Sequence, residues 1–124
     1  MSGFDAAKFA TRQIGHVTIV DASGRIMAGQ ATGSLRELIK ELTQAGHKNV
    51  LLNLTDTSYI DSAGIGELVG ACTSLRTMGG DLRLYNPQPR VSRLLDVTKV
   101  NGLFAIFADE NAAVASFPAA SAGL

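Results

Sequence analysis

Apolar and polar positions alternate with a period of two at the front of the chain and shift to a helical period further on. Residues 8–14 (KFATRQI) and 16–20 (HVTIV) flank Gly15, and Val17 and Ile19 share one side of the second stretch. Both stretches are predicted as short strands. Asp21-Ala22-Ser23-Gly24 carries the chemistry of a turn or bulge, after which Arg25-Ile26-Met27 can resume the strand. Residues 28–33 are small and read as a flexible loop. Ser34 and Glu37 then have the S-x-x-E spacing of a capping box. Leu35, Leu38, Ile39 and Leu42 follow on one helical face, and Gly46 stops the helix.

Residues 50–54 (VLLNL) form a nearly continuous apolar run, the pattern of a strand buried on both faces. The polar Thr55-Asp56-Thr57-Ser58 bounds it as a loop. After Asp61, a second helical face holds Ile65, Leu68, Val69 and Cys72, and Gly79-Gly80 ends it. Residues 81–85 (DLRLY) alternate as a strand, and Asn86-Pro87-Gln88-Pro89 is a rigid loop. Val91, Leu94, Leu95 and Thr98 mark a third helix, and 103–107 (LFAIF) a last strand. Asp109 caps a short helix with Val114 and Phe117.

The predicted order is β-β-α-β-α-β-α-β-α. Strand–helix–strand units imply right-handed parallel crossovers, and the antiparallel front pair makes the sheet mixed. The expected fold class is α/β: a single domain over 1–124, with a mixed, mostly parallel sheet of about five strands packed by about four helices. Residues 1–7 and 118–124 are expected as flexible ends.

Composition narrows the function classes. With 46% hydrophobic and 18% charged residues, the chain of 124 residues can build a real core and is not a disordered tail. Lys plus Arg equals Asp plus Glu, 11 each, so nothing favours nucleic acid or an anionic membrane as partner. No apolar run approaches the roughly 20 residues of a membrane span. The start, MSGFDAAKFATR, lacks the apolar core of a secretory signal. Cys72 is the single cysteine; it continues an apolar stripe and is expected to be buried, which favours a reducing, cytoplasmic setting. His16 and His47 are isolated, so no metal site and no cofactor are expected.

The chemistry concentrates in YIDSAGIGEL, residues 59–68. A hydrolase elbow needs glycine two residues before the serine, where Ile60 stands, and both histidines precede Ser62. Gly64-Ile65-Gly66 suits a dinucleotide loop, but Val69 holds the place of the third glycine and no acid ends the next strand at Tyr85-Asn86. A nucleotide-binding domain stays as a weak alternative. A helix start fits well: Asp61 is a good N-cap, and Ser62, Ala63, Gly64 and Gly66 permit close approach to the sheet. A helix N-terminus also tolerates a phosphate, so Ser62 can be modified there without loss of the helix. The preceding loop and the first turns of this helix share one end of the sheet. Ser58, Tyr59, Asp61, Ser62, Ala63, Gly64, Ile65 and Gly66 are therefore expected to form a partner-binding patch, joined at the same end by the loop 27–33. Tyr59 or Ile65 would anchor the partner; core packing is the other reading of Ile65. Thr57 and Ser58 read as plain loop residues, with secondary phosphosites as the other reading.

The segment VLLNLTDTSYIDSAGIGELVGA resembles the signature of STAS domains of the anti-sigma factor antagonist type. The likeness extends to the glycine in Ser23-Gly24-Arg25-Ile26, to DLRLYN, to RVSRLLDVT and to the last helix. It implies a phospho-switch rather than an enzyme. Ser62, next to Asp61, would be phosphorylated by a GHKL-type serine kinase that is also the anti-sigma factor, and restored by a PP2C-type phosphatase. The unphosphorylated form would bind the kinase and release a sigma factor. Two positions depart from the pattern: Met27 and Asn53 stand where many family members carry aspartates, both expected near the serine. The alternative is a STAS scaffold in a signalling assembly or a lipid-transport complex, with Ser62 unmodified. The oligomeric state is left open.

Overall fold

The chain runs β1 (Lys8–Ile14), β2 (Val17–Ile26), α1 (Gln30–Gln44), β3 (Asn49–Ile60), α2 (Ser62–Thr77), β4 (Asp81–Tyr85), α3 (Pro89–Val97), β5 (Ile106–Phe107) and α4 (Glu110–Ser116). The computed structural model describes residues 7–27, 30–100 and 102–118, with 30–34 described by backbone alone. The strands form one sheet in the order β1-β2-β3-β4-β5. β1 is antiparallel to β2, and every later pair is parallel. Each crossover steps to the next strand in the same direction, so right-handed connections bring α1, α2 and α3 to one face.

The alternation along the strands assigns the two faces. Val50, Leu52 and Leu54 of β3 join Val20 and Ala22 in the main core, under Leu35, Ile39, Leu68, Leu75 and Leu95 from the three helices. Leu51 points the other way and meets Val17, Ile19, Ala113 and Phe117, where α4 covers the second face. Asp109 caps α4 as predicted: its carboxylate accepts from the Ala112 amide at 2.8 Å. Cys72 is buried, 1% exposed, and burial pushes its thiol pKa up.

Several predicted boundaries are corrected. β2 runs without a turn through 21–24 to Ile26, the continuation that Arg25-Ile26-Met27 allowed; the register shifts opposite this stretch put the extra residues on β3, so the bulges belong to β3 and not to 21–24. α1 begins at Gln30, so 30–33 are helical and Ser34 lies inside the helix rather than capping it. Extending a formed helix costs little per residue. Residues 28 and 29 of the expected loop lie outside the described residues. β3 continues through Thr55-Asp56-Thr57-Ser58 to Ile60, because the prolonged β2 supplies its partner. The last strand shrinks from 103–107 to Ile106–Phe107. The expected flexible ends lie, for 1–6 and 119–124, outside the described residues; Ala7 packs against the core.

Asp81 ties the layers together. Its carboxylate accepts from Arg76 at the end of α2 (2.7 Å) and from Arg83 on β4 (2.9 Å). Arg76 also donates to the Leu103 carbonyl at 2.7 Å. Arg83 donates to the Ser116 carbonyl at 2.6 Å and lies 4.7 Å from the centre of the Phe117 ring, so the network reaches α4. Burial pushes the Asp81 carboxyl up, but the bonds from Arg83 and Arg76 outweigh it and hold it below the ordinary carboxylate range. Gly80 brings the chain hard against the connection from α1 to β3: a Cβ there would sit 1.9 Å from the Lys48 carbonyl oxygen.

Gly80→Ala should destabilise the domain by about 3 kcal/mol or more in urea titrations. Gly70→Ala, whose added Cβ meets nothing within 4 Å, should instead stabilise it by about 0.5–1 kcal/mol. Because the folded pKa of Asp81 is depressed, its contribution is present above the ordinary carboxylate pKa and is lost as pH falls through the folded value. Urea stability should therefore drop between about pH 5 and pH 2, and Asp81→Asn should flatten that acid limb.

Candidate functional site

The site is built where β2 and β3 end together. Ile26 and Ile60 are register partners, and the next amide, that of Asp61, donates to the Ile26 carbonyl at 3.1 Å. This bond fixes the turn from β3 into α2. Asp61 is extended (φ −98°, ψ −179°), and its carboxylate accepts from the Gly64 amide at 2.8 Å, the N-cap expected of it. The Ile65 amide closes the first intrahelical bond on the Asp61 carbonyl at 2.9 Å. Gly64 allows the approach: a Cβ would lie 2.9 Å from the Ile26 oxygen and 3.1 Å from its Cγ2.

Those contacts sort the expected patch into two layers. Ser58, Ser62, Ala63 and Gly66 are exposed, with Tyr59 and Asp61 half-buried beside them. Gly64 and Ile65 turn inward; Ile65 is only 5% exposed and belongs to the main core, so packing is its role and it cannot serve as the outward anchor. Of the four amides at the start of α2, those of Asp61 and Gly64 are already bonded; the Ser62 and Ala63 amides and the positive dipole end of the helix lie beside the Ser62 hydroxyl, which makes no hydrogen bond with the described residues. Thr57 and Ser58 are strand residues rather than loop residues. Thr57 is fully buried and donates to the Ala22 carbonyl at 3.1 Å, while the Ser58 hydroxyl reaches the Gly24 carbonyl at 3.4 Å. Arg25, the register partner of Tyr59, stands over its ring at 5.7 Å.

The two departures separate in space. Met27 follows Ile26 directly and so stands beside the α2 start. Asn53 does not: it pairs with Asp21, seven residues before the end of β3, roughly 20 Å away at strand spacing. Its amide donates to the Asp21 carboxylate at 2.8 Å, and its oxygen accepts from the Thr55 amide at 3.0 Å. Asp21 is further held by Arg12, at 2.7 Å, and Arg12 also pairs with Glu110. The Arg12 bond above all keeps the Asp21 carboxyl below its ordinary range. An aspartate at 53 would face Asp21 directly, so asparagine there serves this polar network and not the serine.

Sequence reasoning did not find the part that α3 contributes. Arg90, Arg93, Leu94 and Val97 of α3 line a groove of about 180 Å³ with Tyr59 and Ile60. The helical period of α3 marks its buried side, Val91 and Leu95, and carries no signal for what its other side meets.

The sequence profile of the STAS domain matches residues 8–113. The anti-sigma-B factor antagonist of Bacillus subtilis (strain 168) is 35% identical over 80 residues, 64% of this chain and 72% of that protein. Among solved structures, an anti-sigma factor antagonist from Mycobacterium paratuberculosis superposes with a TM-score of 0.79 at 18% identity, covering 94% of this chain and 97% of the other. The Bacillus cell fate determinant SpoIIAA, in its phosphorylated form, gives 0.69 at 21% identity, covering 87% and 97%. These two structural likenesses speak for the fold.

Removing the cap should show its worth without touching the core. Asp61→Ala should cost about 1 kcal/mol in urea unfolding, and Asp61→Ser should recover most of it.

Proposed function

The chain belongs to the STAS domain family, and on that premise we propose that it is an anti-sigma factor antagonist whose switch is Ser62. The observation that carries the reading is the placement of Ser62: exposed, directly after the Asp61 cap, on the first turn of α2, with small residues around it. The B. subtilis relative is named for antagonism of an anti-sigma factor, and a solved structural neighbour is phosphorylated. The protein acts by binding rather than by catalysis. Its partner is an anti-sigma factor that is also a serine kinase of the GHKL type, and a PP2C-type phosphatase reverses the modification. The cytoplasm is the compartment such partners require. No helix among the described residues is long and apolar enough to cross a membrane.

A phosphate on Ser62 adds about −1.5 to −2 charges next to Asp61. The helix N-terminus favours that charge, so the fold survives. A docked partner that must bury it pays a desolvation cost instead. A loss of about 3 kcal/mol weakens binding by about a hundredfold. The binding face comprises Ser58, Tyr59, Asp61, Ser62, Ala63 and Gly66, with Gly64 and Ile65 supporting it from behind.

Mass spectrometry of the protein recovered from its own cells, with and without stress, should find partial and condition-dependent phosphate on the Ser62 peptide. A peptide that stays unmodified under every condition would favour the scaffold alternative. The far-UV circular dichroism of the phosphorylated and unmodified proteins should be nearly the same; a large loss of helix would sink the surface-switch mechanism.

A further inference from the structure

β4 ends at Tyr85, the register partner of Asn53, so the last residues of β3 have no strand on that side. The Asn86-Pro87-Gln88 loop crosses there, pinned by Gln88 Nε2 donating to the Thr55 carbonyl at 2.8 Å. It delivers α3 alongside the end of β3. Between them lies the groove of Tyr59, Ile60, Arg90, Arg93, Leu94 and Val97. Its volume, about 180 Å³, falls below the roughly 300–1,000 Å³ of small-molecule sites and suits side chains of another segment.

The groove has an apolar floor and a cationic rim. Val97 is 69% exposed, an unusual position for a branched aliphatic, and Leu94 is half-buried. Arg90 and Arg93 are exposed, and neither has an ion-pair partner among the described residues. No acidic residue lines the groove. Arg25, against Tyr59, adds a third cation at its edge. In a chain of zero formal net charge this is a local excess of one sign. The two arginines are three residues apart on one helix, a spacing that puts neighbouring side chains about 5–6 Å apart. They match carboxylates one turn apart on an apposed helix, while Leu94, Val97 and Tyr59 receive its apolar face. Ile60 brings the groove within two residues of Ser62.

We propose that this groove docks an acidic amphipathic helix of the partner protein, with Arg90 and Arg93 pairing its carboxylates and Val97, Leu94 and Tyr59 taking its apolar side chains. The proposal rests on the antagonist reading for the partner's identity, and on the groove alone for its chemistry. It also gives the Ser62 phosphate a second effect: a dianion at the groove's edge repels the same acidic segment.

The test uses the full chain and two synthetic helical peptides with the same leucine face, one bearing glutamates and the other lysines. In a two-dimensional amide NMR titration, the glutamate peptide should shift Tyr59, Ile60 and residues 90–97. It should bind about tenfold tighter than the lysine peptide at low salt, and that advantage should shrink as salt is added. The double variant Arg90→Glu/Arg93→Glu should reverse the preference, and Val97→Asp should weaken the glutamate peptide; dispersed spectra would show that both variants fold. Equal binding of the two peptides, or shifts confined elsewhere, would overturn the proposal. So would the same shifts appearing on dilution without peptide, which would mean a second copy fills the groove. Stronger binding to phosphatidylglycerol vesicles through the same residues would make it a membrane site instead. Phosphate on Ser62 without peptide binding removes only this proposal. Peptide binding with Ser62 always unmodified removes only the switch.

Discussion

The parallel pairing of β2 with β3 is the constraint from which the rest of the molecule follows. It runs from Thr18–Val50 to Ile26–Ile60 and takes up two register shifts on the way. Between Asp21 and Ile26, β2 advances five residues while β3 advances seven from Asn53 to Ile60, so β3 bulges and both strands still end together. That shared end gives Asp61 its hydrogen bond to Ile26 and starts α2 where it does. A slip of one residue would turn Ile26 and Ile60 outward and take the serine with them.

Two polar networks hold this spine, both away from the shared strand end. At the far end, Asp81 gathers Arg76 and Arg83 and links α2, β4 and α4 across the sheet. On the second face, Arg12, Asp21, Asn53 and Glu110 join β1, β2, β3 and α4. Neither network touches Ser62. The proposed binding surface is made of small residues, a cap and a tyrosine, so a charge added there would break no structural ion pair. That separation is the structural ground for proposing that a phosphate on Ser62 would leave the fold unchanged.

Local signals were legible where local physics decides. The helical faces of α1, α2 and α3, the caps Asp61 and Asp109, and the burial of Cys72 all follow from periodicity and side-chain chemistry within a few residues. Strand limits were not. Thr55-Asp56-Thr57-Ser58 has a loop's composition, and only the partner strand, some thirty residues away in sequence, makes it β. The capping-box pattern at Ser34 was outweighed by a helix that continues back to Gln30. Asn53 looked like a neighbour of the serine because spacing along a chain does not reveal that the intervening residues are fully extended.

Residue order alone settles the order of elements, the helix start at Asp61 and the presence of a serine hydroxyl in its first turn, because each depends on neighbours within one or two turns. Tertiary structure alone decided which residues of that motif face out. Gly64 and Ile65 are drawn inward by contact with Ile26 and the core, and Ser62 and Gly66 are left on the surface. It alone also put Arg90 and Arg93 beside Tyr59, since α3 and the end of β3 are some thirty residues apart and meet only because β4 stops short.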